Sequence, residues 1–282
     1  MTNGKWLLEG LLLAMMVACG PLITPQPLST QPAALQSTPT LQATLAPSLP
    51  ATPLLPPDSG WALLQPGLDR RMIQLFDENG LQTEQLYLLR IDPNAFEFSV
   101  AYSPGQPKSL PTWQAETGAL VVVNGGFFTP EFTATGLMVV DGQVSGSSYT
   151  DFGGMVTAGQ GGVEVRSLVE RPYSPTESFD YALQAFPMLV LNGEPAYQKS
   201  DLDQARRTVI GMDEDGRILL ILASWGSFTL AEFSSYLASA DFGLVNALNL
   251  DGGTSSGLIL ANPAESIPGF VAVPSVITIS PK

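Results

Sequence analysis

Short apolar runs broken by turn residues dominate the chain from residue 58 to its end. LYLLRI (86–91) and FEFSVAY (96–102) read as strands joined at the turn signal Asp92-Pro93-Asn94. Residues 120–123 and 137–140, the latter ahead of Asp141-Gly142, read the same way, as do 162–168, 183–186 and 188–191. Residues 208–212 and 217–223 flank Asp213-Glu214-Asp215-Gly216 and predict a hairpin whose turn acids are solvated. Runs at 245–250, 258–260 and 271–279 complete the strands. Helical spacing is rarer. Over 230–240, Leu230, Phe233 and Leu237 share one face, and Thr229 with Glu232 has capping-box spacing. A second short helix is expected at 113–117. No repeat of 20–50 residues is present, which excludes solenoids and propellers. The pattern predicts an α+β fold, a large mixed β-sheet core with few helices.

Before residue 58 the pattern is different. Residues 1–18 carry Lys5 and a short apolar run that ends in small residues before Cys19. This resembles a bacterial lipoprotein signal peptide, with lipidation expected at Cys19. The run is short for a bilayer span. Residues 19–57 read as the lipidated cysteine followed by a tether. Ten prolines and no charged residue occur in positions 21–57. Such a segment favours extended polyproline II, and its contour reaches roughly 110 Å at about 3 Å per residue. The expected organisation is therefore a signal peptide at 1–18, a lipid-anchored tether at 19–57 and one folded domain at 58–282. It places the protein outside the cytoplasm, on a bacterial cell envelope.

Composition narrows the chemistry. The chain has 12 Lys plus Arg against 26 Asp plus Glu, a net charge of −14, which argues against nucleic-acid partners. It has no histidine. A Ser-His-Asp triad, a Cys-His pair, a zinc-protease helix and a two-histidine iron site are all excluded. The one cysteine is Cys19, so the folded domain has no disulfide and no thiol nucleophile. Carboxylates, arginines, hydroxyls, amides and backbone groups must do the work.

Three segments concentrate such groups. Asn124-Gly125-Gly126-Phe127-Phe128 follows an apolar strand, and glycines there would let backbone amides approach a ligand. Asp251-Gly252-Gly253-Thr254-Ser255-Ser256 follows another strand and combines a carboxylate, two glycines and three hydroxyls. Arg206-Arg207-Thr208 leads into the hairpin and offers two cations in an acidic chain. Spacing does not identify a second acid for Asp251; Asp151, Glu131 and Asp141 are candidates.

Taken together, the motifs resemble the phosphodiester glycosidase family. Those carrying the resemblance are NGGFF at 124–128, GLMVVDG at 136–142, QAFPMLVLNGE at 184–194, RTVIGMDEDGRILLILA at 207–223, FTLAEFSSYLASADFGLVNALNLDGGTSSGLIL at 228–260 and VPSVITI at 273–279. The family commonly has a third glycine where this chain has Thr254, and Gly-Pro where it has Phe186-Pro187. The resemblance implies a single catalytic domain that hydrolyses a sugar-1-phosphodiester at the glycosidic bond, releasing free sugar and a phosphomonoester.

A phosphate leaving group needs little acid help, so the lack of histidine is no handicap. In this reading Asp251 is base or nucleophile and Arg207 holds phosphate. Asn124 completes the catalytic set. Gly125, Gly126, Phe127, Arg206, Gly252, Gly253, Thr254 and Ser255 line the substrate. The substrate is a sugar phosphodiester or an envelope glycan. No cofactor is demanded, although carboxylates and carbonyls suit calcium. The competing reading is a non-catalytic, surface-anchored glycan-binding protein with Trp113, Phe127, Phe128 and Trp225 as sugar platforms.

Overall fold

The computed structural model describes residues 56–159 and 161–282. The signal-peptide segment, Cys19 and the tether up to residue 55 lie outside the described residues. Three sheets carry the fold. The largest has eight strands, in spatial order Ala62–Gln65, Leu68–Phe76, Gln82–Ile91, Ile218–Ala223, Arg207–Asp213, Leu244–Asn249, Met188–Leu191 and Glu194–Pro195. A second runs Gln143–Ser145, Met138–Val140, Tyr181–Ala185, Gly154–Gly159 and Gly162–Ser167. The third runs Glu265–Ile267, Leu258–Leu260, Val121–Asn124, Ser275–Pro281 and Phe96–Tyr102. The pairings along these sheets are antiparallel. The expected β core with few helices is present; its strands form three sheets in which neighbours pair antiparallel, and the helix Leu230–Ser239 crosses over Arg207–Asp213 to join Ile218–Ala223 to Leu244–Asn249.

The run ILLILA at Ile218–Ala223 is apolar at every position because both faces of its strand are covered. Ile218, Leu220 and Leu222 face the second and third sheets, packing with Ile210, Leu248, Val123, Val156, Leu183 and Ile277. Leu219, Ile221 and Ala223 face the helix Leu230–Ser239, whose Phe233 and Leu237 are buried against them. Each of those two helix side chains contributes about 1.5–3 kcal/mol of burial. The helix starts where Thr229 accepts from Glu232 N at 3.2 Å and Glu232 accepts in turn from Thr229 N at 2.9 Å, the capping box expected from the sequence. The other helix, Leu110–Thr117, is longer than expected and is capped by Ser109.

The topology fixes where polar groups gather. Past the end of Leu244–Asn249 the chain leaves the large sheet and enters Leu258–Leu260 of the third sheet. Residues 250–257 therefore bridge two sheets. Asn124 ends the strand that pairs with Leu258–Leu260, and Arg207 starts the strand that pairs with Leu244–Asn249. Three sequence segments more than 40 residues apart thus meet at one edge.

Two expectations fail here. Asp213 is 2% exposed, not solvated. Its carboxylate accepts from Asp215 N, Arg217 N and Arg217 Nε, which closes the hairpin turn from inside. Trp113 is a core residue and no sugar platform: it is buried and its Nε1 donates to Val273 O at 3.0 Å.

Candidate active site

Asn124 is completely buried and holds the edge together. Its Nδ2 donates to Asp251 O at 2.7 Å. Its Oδ1 accepts from Thr208 Oγ1 at 2.9 Å and from Gly257 N at 3.1 Å. Asp251 N donates to Gly125 O at 3.1 Å, and Leu250 N to Thr208 O at 2.8 Å. One amide side chain thereby ties all three segments. With both ends engaged inside the protein, Asn124 positions its neighbours and does not present itself to a ligand.

The glycines behave differently from the open cradle expected. A Cβ at Gly125 would lie 2.4 Å from Ser275 Oγ, one at Gly126 would lie 2.9 Å from Gln184 O, and one at Gly252 would lie 3.0 Å from Arg206 O. These glycines let the chain pack on itself. The amides are committed too: Gly125 N to Ser275 O, Gly252 N to the Asp251 carboxylate and Gly253 N to Arg206 O. Gly253 is the exception in space, since it has φ +60° and nothing lies within 4 Å of where a Cβ would point. Thr254 has no positive φ and is exposed, so a side chain is accommodated there. Gly253–Ser255 forms a single 3-10 turn whose outer side is open.

Asp251 is half-buried, with Oδ1 accepting from Gly252 N at 2.9 Å. Burial pushes its proton affinity above the usual carboxylate range, while hydrogen bonds from the Ser255 hydroxyl and the Gly252 amide oppose the rise. No other carboxylate contributes to that shift. Asp141, one candidate partner, instead accepts from Tyr181 Oη at 2.6 Å.

The two arginines differ from all the others. Arg70, Arg71, Arg90, Arg166, Arg171 and Arg217 each form an ion pair with a carboxylate. Among the described residues, Arg206 and Arg207 have no carboxylate oxygen within 4.0 Å. Arg207 is buried; its Nη2 donates to the carbonyls of Asp203 and Phe228, the latter at 3.5 Å, and its Nε is buried without a partner. Burial lowers its proton affinity, against the more distant pull of Asp201 and Asp203. Arg206 donates from Nη1 to Pro268 O at 3.0 Å and lies 4.6 Å over the Phe270 ring. Its Nε is also buried without a partner. The desolvation of a cation is normally offset by an anion. Here Asp201 and Asp203 act on Arg207, and Glu84 on Arg206, only from beyond ion-pair distance.

An aromatic cluster adjoins the edge. Phe127 stacks on Phe186 at 4.4 Å, and Phe152 and Tyr149 meet Phe186 edge-on at 5.5 Å. Asn249 fixes this group by donating from Nδ2 to Phe186 O at 3.0 Å. Its Oδ1, like the Ser256 hydroxyl, is buried with no partner. Phe128 turns away and stacks with Phe132. Sequence reasoning missed Asn249, Phe186, Tyr149 and Phe152. Of these, only Phe186-Pro187 carried a local signal, as a departure from a family motif. A cleft of about 890 Å³ opens elsewhere, bordered by Asn94, Glu97, Asp141 and Lys282, and holds none of these groups. Among the described residues no cluster of three or more acidic, His or Cys side chains is arranged to hold a metal ion.

Residues 117–280 match the family model described as phosphodiester glycosidase. No curated protein matches the chain. Among solved structures, the chain is similar to the zebrafish N-acetylglucosamine-1-phosphodiester alpha-N-acetylglucosaminidase catalytic domain auto-inhibited by its pro-peptide. The TM-score is 0.63 and the identity 19%, over 77% of this chain and 85% of that one. A hypothetical protein from Synechocystis aligns with TM-score 0.58 and 17% identity, over 80% of this chain and 64% of its own. A Burkholderia pseudomallei K96243 protein, described as a candidate exported protein, gives TM-score 0.51 and 14% identity, over 70% and 74%. At these identities the structures speak to the fold, and they share it.

Fold and matched region together define a glycosidase, a hydrolase built on antiparallel sheets. The chain belongs to the phosphodiester glycosidase family, whose members hydrolyse sugar phosphodiesters.

Proposed function

We propose that this edge is the catalytic site, with Asp251 as general base, Arg207 as the phosphate-binding cation and Asn124 as the residue that positions both. The observation that carries the reading is that a half-buried carboxylate and a buried guanidinium with no carboxylate at ion-pair distance stand on adjoining strand ends, tied together through Asn124 and Thr208. In the reaction a water oxygen bonds to the anomeric carbon while the bond from that carbon to the phosphate oxygen breaks. The electron pair of the broken bond leaves with the phosphate, and the water proton passes to Asp251. Charge therefore develops on the departing phosphomonoester and on an oxocarbenium-like sugar. A desolvated guanidinium is worth most against the first, because little water competes with it. A carboxylate whose proton affinity is raised by burial is the better base for the attacking water.

The remaining groups fit around this core. Residues 253–255 and Arg206 face the substrate, and Phe127 with Phe186 walls the sugar side. Gly125, Gly126 and Gly252 act by letting the chain close. The protein is exported and held at a cell envelope through lipid on Cys19, where its substrate is an envelope glycan or glycoconjugate. The N-terminal pattern supports that placement.

The test is turnover. Purified protein and Asp251→Asn are incubated with a panel of sugar-1-phosphodiesters, with released sugar as the readout. Release by the parent and none by a folded variant is expected. Equal release by both would remove Asp251 from the mechanism. Saturable binding without release would favour a glycan-binding role.

A further inference from the structure

Arg206 has surroundings distinct from those of Arg207. It follows a loop, its guanidinium lies over Phe270, and it contacts the catalytic corner through backbone: Gly253 N donates to Arg206 O at 2.8 Å, and Phe270 N to Thr254 O at 2.7 Å. Phe270 is 68% exposed. On the other flank a Cβ at Gly226 would lie 2.9 Å from Arg206 N, so the segment carrying Trp225 is packed directly beside it.

That segment is held rigidly. The fully buried Glu84 accepts from Trp225 N at 2.7 Å, Gly226 N at 3.0 Å, Ser227 N at 2.9 Å and Ser227 Oγ at 3.0 Å. Trp225 is nonetheless 54% exposed. Two large aromatics displayed on fixed backbone beside a cation form a ready surface for a ligand. An acidic chain with more than twice as many carboxylates as cations has left this guanidinium unpaired. Glu84, the one carboxylate acting on it, is already saturated by the loop.

We infer that Arg206, Phe270 and Trp225 form a leaving-group subsite that selects aglycones bearing a second negative charge, such as a further phosphate, beyond the scissile phosphodiester. The inference rests on the reading of the adjoining corner as the catalytic site. Arg206 and Arg207, as neighbours in sequence, make separate contacts, Arg206 with Pro268 O and Phe270, Arg207 with Asp203 O and Phe228 O. They are therefore suited to two anionic groups rather than to one. The negative surface would disfavour a long polyanion, so the matching substrate is a small doubly charged diester.

The full chain is assayed with two esters of one sugar 1-phosphate, one to methanol and one to glycerol phosphate. Binding of glycerol 3-phosphate and of glycerol is titrated in parallel. The parent is expected to show a kcat/KM ratio of about tenfold or more in favour of the charged ester, as one charge-assisted hydrogen bond supplies. The ratio should fall with added salt, approach one in Arg206→Gln and persist in Arg206→Lys. Hydrolysis of both esters without preference, or a preference surviving Arg206→Gln, overturns the subsite while leaving the catalytic reading intact. No hydrolysis of either ester, with Arg206-dependent binding of glycerol 3-phosphate, overturns the catalytic reading and with it the leaving-group assignment, and leaves Arg206 as an anion-binding group only. Failure of both hydrolysis and binding overturns both.

Discussion

Replacing Asn124 with alanine should unfasten the site and cost more than its small size suggests. The change removes the donor to Asp251 O at 2.7 Å and the acceptor for Gly257 N at 3.1 Å and Thr208 Oγ1 at 2.9 Å. The Thr208 hydroxyl can turn elsewhere, but the two backbone groups are fixed and buried. Each unsatisfied group costs about 1–3 kcal/mol, and a small cavity adds to that, giving about 3–5 kcal/mol in all. For a domain of this size the melting temperature should drop by roughly 6–20 °C. Thr208→Val removes one bond and leaves Gly257 N still paired with Asn124, so it should cost about 1 kcal/mol. The double variant should be little worse than Asn124→Ala alone, because the bond Thr208 makes is already gone. Chemical unfolding of the four proteins measures the cycle. A loss below about 1 kcal/mol for Asn124→Ala, or full additivity with Thr208→Val, would refute the fastening role.

Other changes test separate parts of the account. Asp251 has its folded proton affinity raised by burial, so ionising it costs stability: the contribution is favourable at low pH and is lost as pH rises through the folded value. Asp251→Asn should therefore melt higher than the parent at neutral pH, with the gain fading as pH falls through the folded value and gone below about pH 4; a variant that melts lower at neutral pH contradicts the burial cost. Arg207→Lys should lower kcat at least as much as it raises KM, since a point charge replaces a planar donor set where charge develops on the departing phosphate, and unchanged steady-state kinetics would remove Arg207 from phosphate binding. Gly125→Ala forces the Ser275 backbone to move and should cost about 1–3 kcal/mol; a neutral effect in thermal unfolding would show the approach is looser than described.

Local elements were legible where physics is local. The hairpin at Arg207–Asp213 and Ile218–Ala223 announced itself by a turn between apolar runs, and the helix at Leu230–Ser239 by its capping box. The strands Gly154–Gly159 and Gln143–Ser145 were not expected: one is framed by glycines, and the other is short and exposed. The division into three sheets was hidden because it depends on pairings such as Val123 with Leu258 and Ile277, over 130 residues away. The same holds at the site. Asp251, Arg207 and Asn124 stand out as polar groups at strand ends. Asn249 looked like part of an apolar run, and Phe186 and Phe270 gain meaning only from distant neighbours. The glycines suggest a ligand cradle in sequence, yet the space beside Gly125, Gly126 and Gly252 is filled by Ser275, Gln184 and Arg206. Sequence gives the need for close approach but not the identity of what approaches.

The central claim is that water attacks the sugar and not the phosphorus. Hydrolysis of a sugar-1-phosphodiester in oxygen-18 water decides it directly. The account predicts label on the anomeric hydroxyl of the released sugar and none on the phosphomonoester. Label in the phosphomonoester would mean cleavage at the phosphorus, and would contradict the glycosidase mechanism assigned to Asp251.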